Sequence, residues 1–163
     1  MVVSLLYFTT TMVVSGNDSQ LPKIGPAPNF SLTTQDKAQL KLADLRGKIV
    51  AVTFIFTTCQ DTCPILIAKL VGVQKKLAAD MSPYIAFVAI TLTPKHDTPE
   101  VLKAYANAHG ADLSRWSFLT GDAKQIHALA KQYGVFVKTK NTDGDDRKRV
   151  QIDECFIQCD FRS

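Results

Sequence analysis

Residues 49–56, IVAVTFIF, and residues 84–92, YIAFVAITL, are two unbroken apolar runs rich in β-branched side chains. A strand with one wet face alternates apolar with polar residues, so an unbroken run predicts a strand covered on both faces. Between the two runs the period changes. From Ile65 onward, Leu66, Leu70, Val73 and Leu77 recur at helical spacing, while Lys69, Lys75, Lys76 and Asp80 fall largely outside that stripe. Strand, helix and strand in this order place the two strands parallel in one sheet.

The rest of the chain extends the alternation. Phe30 with Leu32, then Leu40 with Leu42, flank a polar turn and predict a small edge hairpin. LADLRGK reads as one helical turn closed by Gly47. The first long helix is expected over 64–80, and Pro83 limits it. TPEVLKAYANAHG predicts a helix capped by Thr98, with Pro99 at its first position and Gly110 at its end. WSFLTG is a short strand, and DAKQIHALAKQYG is a helix capped by Asp122 and closed by Gly134. VFVKTK and RKRVQID flank NTDGDD, whose Asp143-Gly144 pair is a strong hairpin signal. The expectation is one α/β sheet with helices on both faces.

The chain has 163 residues, enough for one domain with a hydrophobic core. Apolar residues make up 46% and charged residues 21%, which excludes a disordered chain and a many-pass membrane protein. The net charge is +4, and the basic cluster Arg147, Lys148 and Arg149 sits beside Asp143, Asp145 and Asp146 and reads as a solvated hairpin tip. No basic face with interleaved aromatics accompanies them, so nucleic acid is not an expected partner. The first 16 residues carry no charged side chain and read as a signal-like or anchor-like apolar segment. A Pro- and Gly-containing linker over 17–25 leads into a domain over 26–163. Export or membrane anchoring is expected.

Four cysteines, Cys59, Cys63, Cys155 and Cys159, are too few for a disulfide-stapled scaffold and suggest site chemistry. Cys59 and Cys63 follow directly on strand 49–56, at the sheet edge where α/β folds gather ligands. Pro64 suits the first turn of a helix, which puts Cys63 near its cap, where unpaired N–H groups favour a thiolate. Asp61 opposes that thiolate unless a cation is bound, and so fits a metal site better than a bare redox pair. Residues four apart on a turn entering a helix lie about 6 Å apart. Two sulfurs at that spacing can close on one ion or on each other, and two thiolates suit Cu(I), Zn or an Fe–S cluster.

FIFTTCQDTCP, TPKHDTPEVLKAYANAHGAD and RWSFLTGDAKQIHALAKQYGVFV occur in order, after GPAPNFSL. Together they resemble the SCO/SenC family of copper-handling proteins, from about Gly25 to Val137. The resemblance implies a thioredoxin-like fold: a central mixed sheet flanked by helices, with an N-terminal hairpin extension. It implies a membrane-tethered domain on the periplasmic side of the inner membrane, or in the mitochondrial intermembrane space. It implies copper delivery to cytochrome c oxidase, with the receiving oxidase subunit and other copper chaperones as partners. Cys59 and Cys63 would be copper ligands, joined by one histidine from a later loop.

That histidine belongs in a V-D-H context before the last long strand. Here the matching stretch is QIDECFIQCDFRS, with Glu154 at the histidine's place and no histidine after His127. The expectation is a truncation or an altered reading frame, leaving the domain C-terminally incomplete. Glu154 is a hard oxygen donor poorly matched to Cu(I). His96 follows strand 84–92 at the same sheet edge and is the nearest substitute, although a solvated loop histidine is the plainer reading. His109 and His127 read as surface or packing residues. Cys155 and Cys159 repeat the four-residue spacing. Along a continuing strand they would lie about 13 Å apart and grip no common ion, whereas on a helical turn they could complete a four-thiolate site; a non-native tail carrying adventitious thiols is the plainer reading. Thr93 stands where the family often has an acidic residue.

The expected function is a metallochaperone, not an enzyme, holding Cu(I) rather than Cu(II) on Cys59 and Cys63. Two alternatives stand beside it. One is a thiol–disulfide oxidoreductase in which Cys59 and Cys63 are redox-active and reduce cysteines of the oxidase subunit. The other is an inactive, truncated family member.

Overall fold

A computed structural model describes residues 26–77, 81–135, 137–140, 149–152 and 158–161. In chain order the strands are β1 (Ser31–Thr34), β2 (Gln39–Lys41), β3 (Ile49–Ile55), β4 (Ile85–Thr91), β5 (Trp116–Thr120), β6 (Val137–Lys140), β7 (Arg149–Ile152) and β8 (Gln158–Phe161). The helices are α1 (Thr62–Lys76), α2 (Pro99–Ala108) and α3 (Ala123–Gln132). Six strands form a mixed sheet in the order β2-β1-β5-β4-β3-β8. β3, β4 and β5 run parallel, with Ile49 opposite Ile85 and Phe87 opposite Trp116. The β1–β2 hairpin adds antiparallel to β5, and β8 adds antiparallel to β3.

The two unbroken runs are central strands because both of their faces are covered. Val50, Val52, Phe54, Val88, Ile90 and Leu92 point to one side, where they meet the hairpin and α3. Ala51, Ile55, Phe87 and Ala89 point to the other, where they meet α1 and α2. Each fully buried Ile or Leu contributes about 1.5–3 kcal/mol of transfer free energy. Stacked Phe87 and Trp116, with ring centroids 4.8 Å apart, extend this second layer, and Phe118 continues it.

Capping follows the sequence closely. Thr98 Oγ1 accepts from the Val101 N–H, and Pro99 occupies the first turn of α2. Asp122 accepts from the N–H groups of Lys124 and Gln125 at the start of α3. Gly110 and Gly134 adopt φ of 69° and 77° at the helix ends, a region that side chains disfavour. LADL forms a 3-10 turn, and Gly47 follows it at φ 78°.

Three expectations need correction. α1 runs over Thr62–Lys76 rather than 64–80, because Pro64 sits at the third helical position and not the first. The N–H it lacks there has no intrahelical acceptor, so proline costs little. The buried face of α1 is Cys63, Ile67, Leu70, Val71 and Gln74, whereas Val73 is half exposed. Gln74 turns inward because its Oε1 accepts from the buried Trp116 Nε1–H at 2.6 Å and the Asp112 N–H at 3.2 Å. Finally, β6 and β7 pair as the expected hairpin, but among the described residues they form a separate two-stranded sheet, while β8 takes the edge beside β3. The hairpin tip, the apolar segment 1–16, the linker 17–25, Glu154 and Cys155 lie outside the described residues.

Candidate metal centre

β3 ends at Ile55, and a tight turn follows in which the Cys59 N–H donates to the Phe56 carbonyl at 3.1 Å. Thr57 and Thr58 form its corners. The chain leaves the turn through Cys59, Gln60 and Asp61 and enters α1 at Thr62. Cys63 is therefore inside the first helical turn and not at its cap, which is Asp61. Cys59 faces the helix terminus instead. The Cys63 N–H donates to the Cys59 sulfur at 3.4 Å.

This exchanges the roles expected of the two thiols. Burial pushes the Cys59 thiol up, but hydrogen bonds from the N–H groups of Cys63, Asp61 and Thr62 and from the Cys63 thiol outweigh it. Its pKa ends below the ordinary thiol value of 9.0. Cys59 is partly exposed, while Cys63 is buried within the hydrophobic layer of α1 and α2. The pair thus presents one accessible, activated sulfur and one sheltered sulfur.

A second cluster lies behind the turn. The Asp97 side chain is fully buried and accepts from Thr57 N–H at 3.2 Å, Thr57 Oγ1, Thr91 Oγ1 and Thr93 Oγ1 at 3.0 Å. His96 Nδ1 lies 2.8 Å from its Oδ1. A carboxylate only accepts, so Nδ1 carries the proton. Burial raises the Asp97 carboxyl, and the hydrogen bonds from Thr57, Thr91 and His96 outweigh it and hold the group below the usual carboxylate range. Thr93 is one of these donors. Sequence reasoning missed Asp97 and Thr57; the surplus of threonines at two adjacent strand ends was the available signal.

Tyr105, on α2, is buried in the same hydrophobic layer as Cys63. Its hydroxyl is buried with no hydrogen-bond partner among the described residues. Burial, then the negative fields of Cys63, Cys59 and Asp97, push its pKa above the ordinary tyrosine range. Its ring stacks on His109 at 4.1 Å, and His109 Nδ1 donates to the Tyr105 carbonyl at 2.8 Å. His127 Nε2 donates to the Leu92 carbonyl at 3.0 Å. Both histidines are therefore packing residues. His96 touches the site's rim, with Nδ1 3.5 Å from Thr57 Oγ1. No three His, Cys, Asp or Glu side chains converge to hold a metal among the described residues. The sheet also separates Cys159 from the first pair: its backbone lies in β8 opposite Ala51, four residues before the end of β3.

A family model described as SCO1/SenC matches residues 19–156. The SCO1 protein homolog of Bacillus subtilis (strain 168) is 31% identical over 120 residues, covering 72% of this chain and 61% of that protein. A protein of Stutzerimonas stutzeri named "Putative copper-binding protein" is 29% identical over 143 residues, covering 87% of this chain and 69% of its own length. The solved structure of BsSco, described as a member of the Sco family of cytochrome c oxidase assembly proteins with a disulfide switch, superposes with a TM-score of 0.63. It is 27% identical and covers 82% of this chain and 81% of that one. The chain spans about three fifths of the length of the Bacillus subtilis relative.

Proposed function

We propose, for a chain that belongs to the SCO1/SenC family, that it carries Cu(I) on Cys59 and Cys63 and passes it to a copper-receiving subunit of cytochrome c oxidase. The observation that carries this reading is the pairing of two thiols at one helix terminus, with the Cys59 thiol held below its ordinary pKa by N–H donors. A thiolate is the ligating form of cysteine, and two soft sulfurs select Cu(I) over harder or higher-coordinate ions. The donor set therefore fits the cargo. The name of the Stutzerimonas stutzeri relative and the description of BsSco support copper and oxidase assembly respectively.

The chain's own residues supply three things. Cys59 is exposed enough to meet a donor or acceptor of the ion. Cys63 shields the other side of it within the α1–α2 layer. The first N–H groups of α1 stabilise the negative charge that two thiolates bring. With no imidazole converging on the pair among the described residues, Cu(II) is bound weakly or not at all. Delivery places the domain outside the cytoplasm, tethered through the apolar segment 1–16; no helix among the described residues is long and apolar enough to cross a membrane. Titrating the reduced chain with Cu(I) against a chromophoric chelator tests the reading, and a Cys59→Ser variant that binds as well as the parent would refute it.

The asymmetry of the pair favours a second reading, thiol–disulfide exchange. The Cys59 thiolate would attack a disulfide of the oxidase subunit, forming a mixed disulfide and expelling one thiolate. Cys63 would then displace the second, so that two electrons pass to the substrate and Cys59–Cys63 becomes the disulfide. Stoichiometric reduction of a disulfide peptide from that subunit, without Cu(I) binding, would favour this reading over the first.

A further inference from the structure

We propose that Asp97 is a positioning residue for the cysteine pair, acting through Thr57 to hold the turn that delivers Cys59 to the start of α1. The inference rests on the reading of Cys59 and Cys63 as the working pair. It arises from an arrangement that packing alone does not require. A fully buried carboxylate is costly unless its lone pairs are satisfied. Here the donors come from three separate places: the turn after β3, the end of β4, and the loop leading into α2.

Thr57 gives Asp97 both its backbone N–H and its hydroxyl, one to each carboxylate oxygen. It is the first corner of the turn closed by the Cys59 N–H on the Phe56 carbonyl. Two bonds to one rigid acceptor fix both the position and the rotation of that corner. The acceptor is itself anchored, since Thr91 and Thr93 hold Oδ2 and the Asp97 N–H donates to the Thr93 carbonyl at 2.9 Å. Next to this, the Leu92 N–H donates to the Ile55 carbonyl at 2.8 Å, so β3 and β4 enter the cluster in fixed register. The corner's placement then sets where the Cys59 sulfur meets the Cys63 N–H, a contact sensitive to shifts of a few tenths of an ångström. Hydrogen bonds to a charged acceptor are about twice as strong as neutral ones, which suits a staple of this kind.

Positioning and plain electrostatics predict opposite signs. If Asp97 acted on Cys59 only through its negative charge, neutralising it would favour the thiolate and speed its reaction. If it acts by position, neutralising it loosens the turn and slows that reaction. The test is the rate of Cys59 alkylation by iodoacetamide at pH 7, read by peptide mass spectrometry on the full chain without metal. Asp97→Asn and Thr57→Val are each expected to slow Cys59 about threefold or more, and to speed hydrogen exchange at the Cys63 amide. Thr57→Ser, which keeps the hydroxyl, is expected to restore the parent rate. Thr57→Val leaves the buried charge in place and carries the test if Asp97→Asn does not fold. An unchanged rate in Thr57→Val, or a faster one in Asp97→Asn, overturns the inference. A parent chain that reacts as expected yet binds no Cu(I) refutes the copper reading and leaves this one standing.

Discussion

The backbone N–H of Cys63 points at the sulfur of Cys59, 3.4 Å away. One residue of the pair thereby activates the other. The two thiols are expected to differ in reactivity: Cys59 is partly exposed with a lowered pKa, and Cys63 is buried. At pH 7 a limiting amount of iodoacetamide should label Cys59 at least tenfold faster than Cys63, and the Cys59 rate should reach half its maximum below pH 9. Equal labelling would contradict the geometry.

Gln74 is the polar link between α1 and the aromatic layer. Removing its side chain leaves the buried Trp116 N–H and the Asp112 N–H without their acceptor. An unsatisfied buried donor costs about 1–3 kcal/mol. Gln74→Leu should therefore lower the unfolding free energy measured by urea denaturation by an amount in that range, although it adds apolar surface. A variant as stable as the parent would show that water replaces the acceptor.

Tyr105 offers the reverse case. Its hydroxyl is buried without a partner among the described residues. Deleting such a group relieves a desolvation cost of about 1 kcal/mol. Tyr105→Phe should raise the melting temperature or leave it unchanged, while keeping the ring's stack on His109. A clear loss of stability would mean that the hydroxyl has a partner.

Asp97 makes stability depend on acid pH. Its folded pKa lies below the unfolded value of 3.8, so its contribution is fully present above that value and is lost as pH falls through the folded pKa. The parent should lose stability steeply below about pH 4, beyond what its exposed carboxylates cause. Asp97→Asn should be less stable at neutral pH and lose less on acidification. Parallel pH profiles would contradict the burial and bonding described for this group.

The parallel core was readable because IVAVTFIF and YIAFVAITL can be covered on both faces in few ways, and because Thr98, Pro99, Asp122, Gly110 and Gly134 punctuate the helices unambiguously. The frame of α1 was less readable. Pro64 permits any position in the first turn, so the helix start, and with it the choice between Cys59 and Cys63 as the activated thiol, depends on the turn at Phe56. β8 was not legible, because QCDF is short and half polar and gains its place only by pairing with β3. The Asp97 cluster was hidden for a similar reason. Thr91, Thr93 and His96 lie close to Asp97 in sequence, but Thr57 is remote from them, and only the β3–β4 register brings it to the carboxylate.

Chelator competition tests the proposed seating of Cu(I) on Cys59 and Cys63. The reduced full chain, titrated with Cu(I) in the presence of bicinchoninate, should take up one ion per chain. Cys59→Ser and Cys63→Ser should each weaken that binding by at least a hundredfold, while a Cys155→Ser, Cys159→Ser double variant should match the parent. Tight, stoichiometric Cu(I) binding that survives loss of Cys59 or Cys63 would rule out this pair as the copper site.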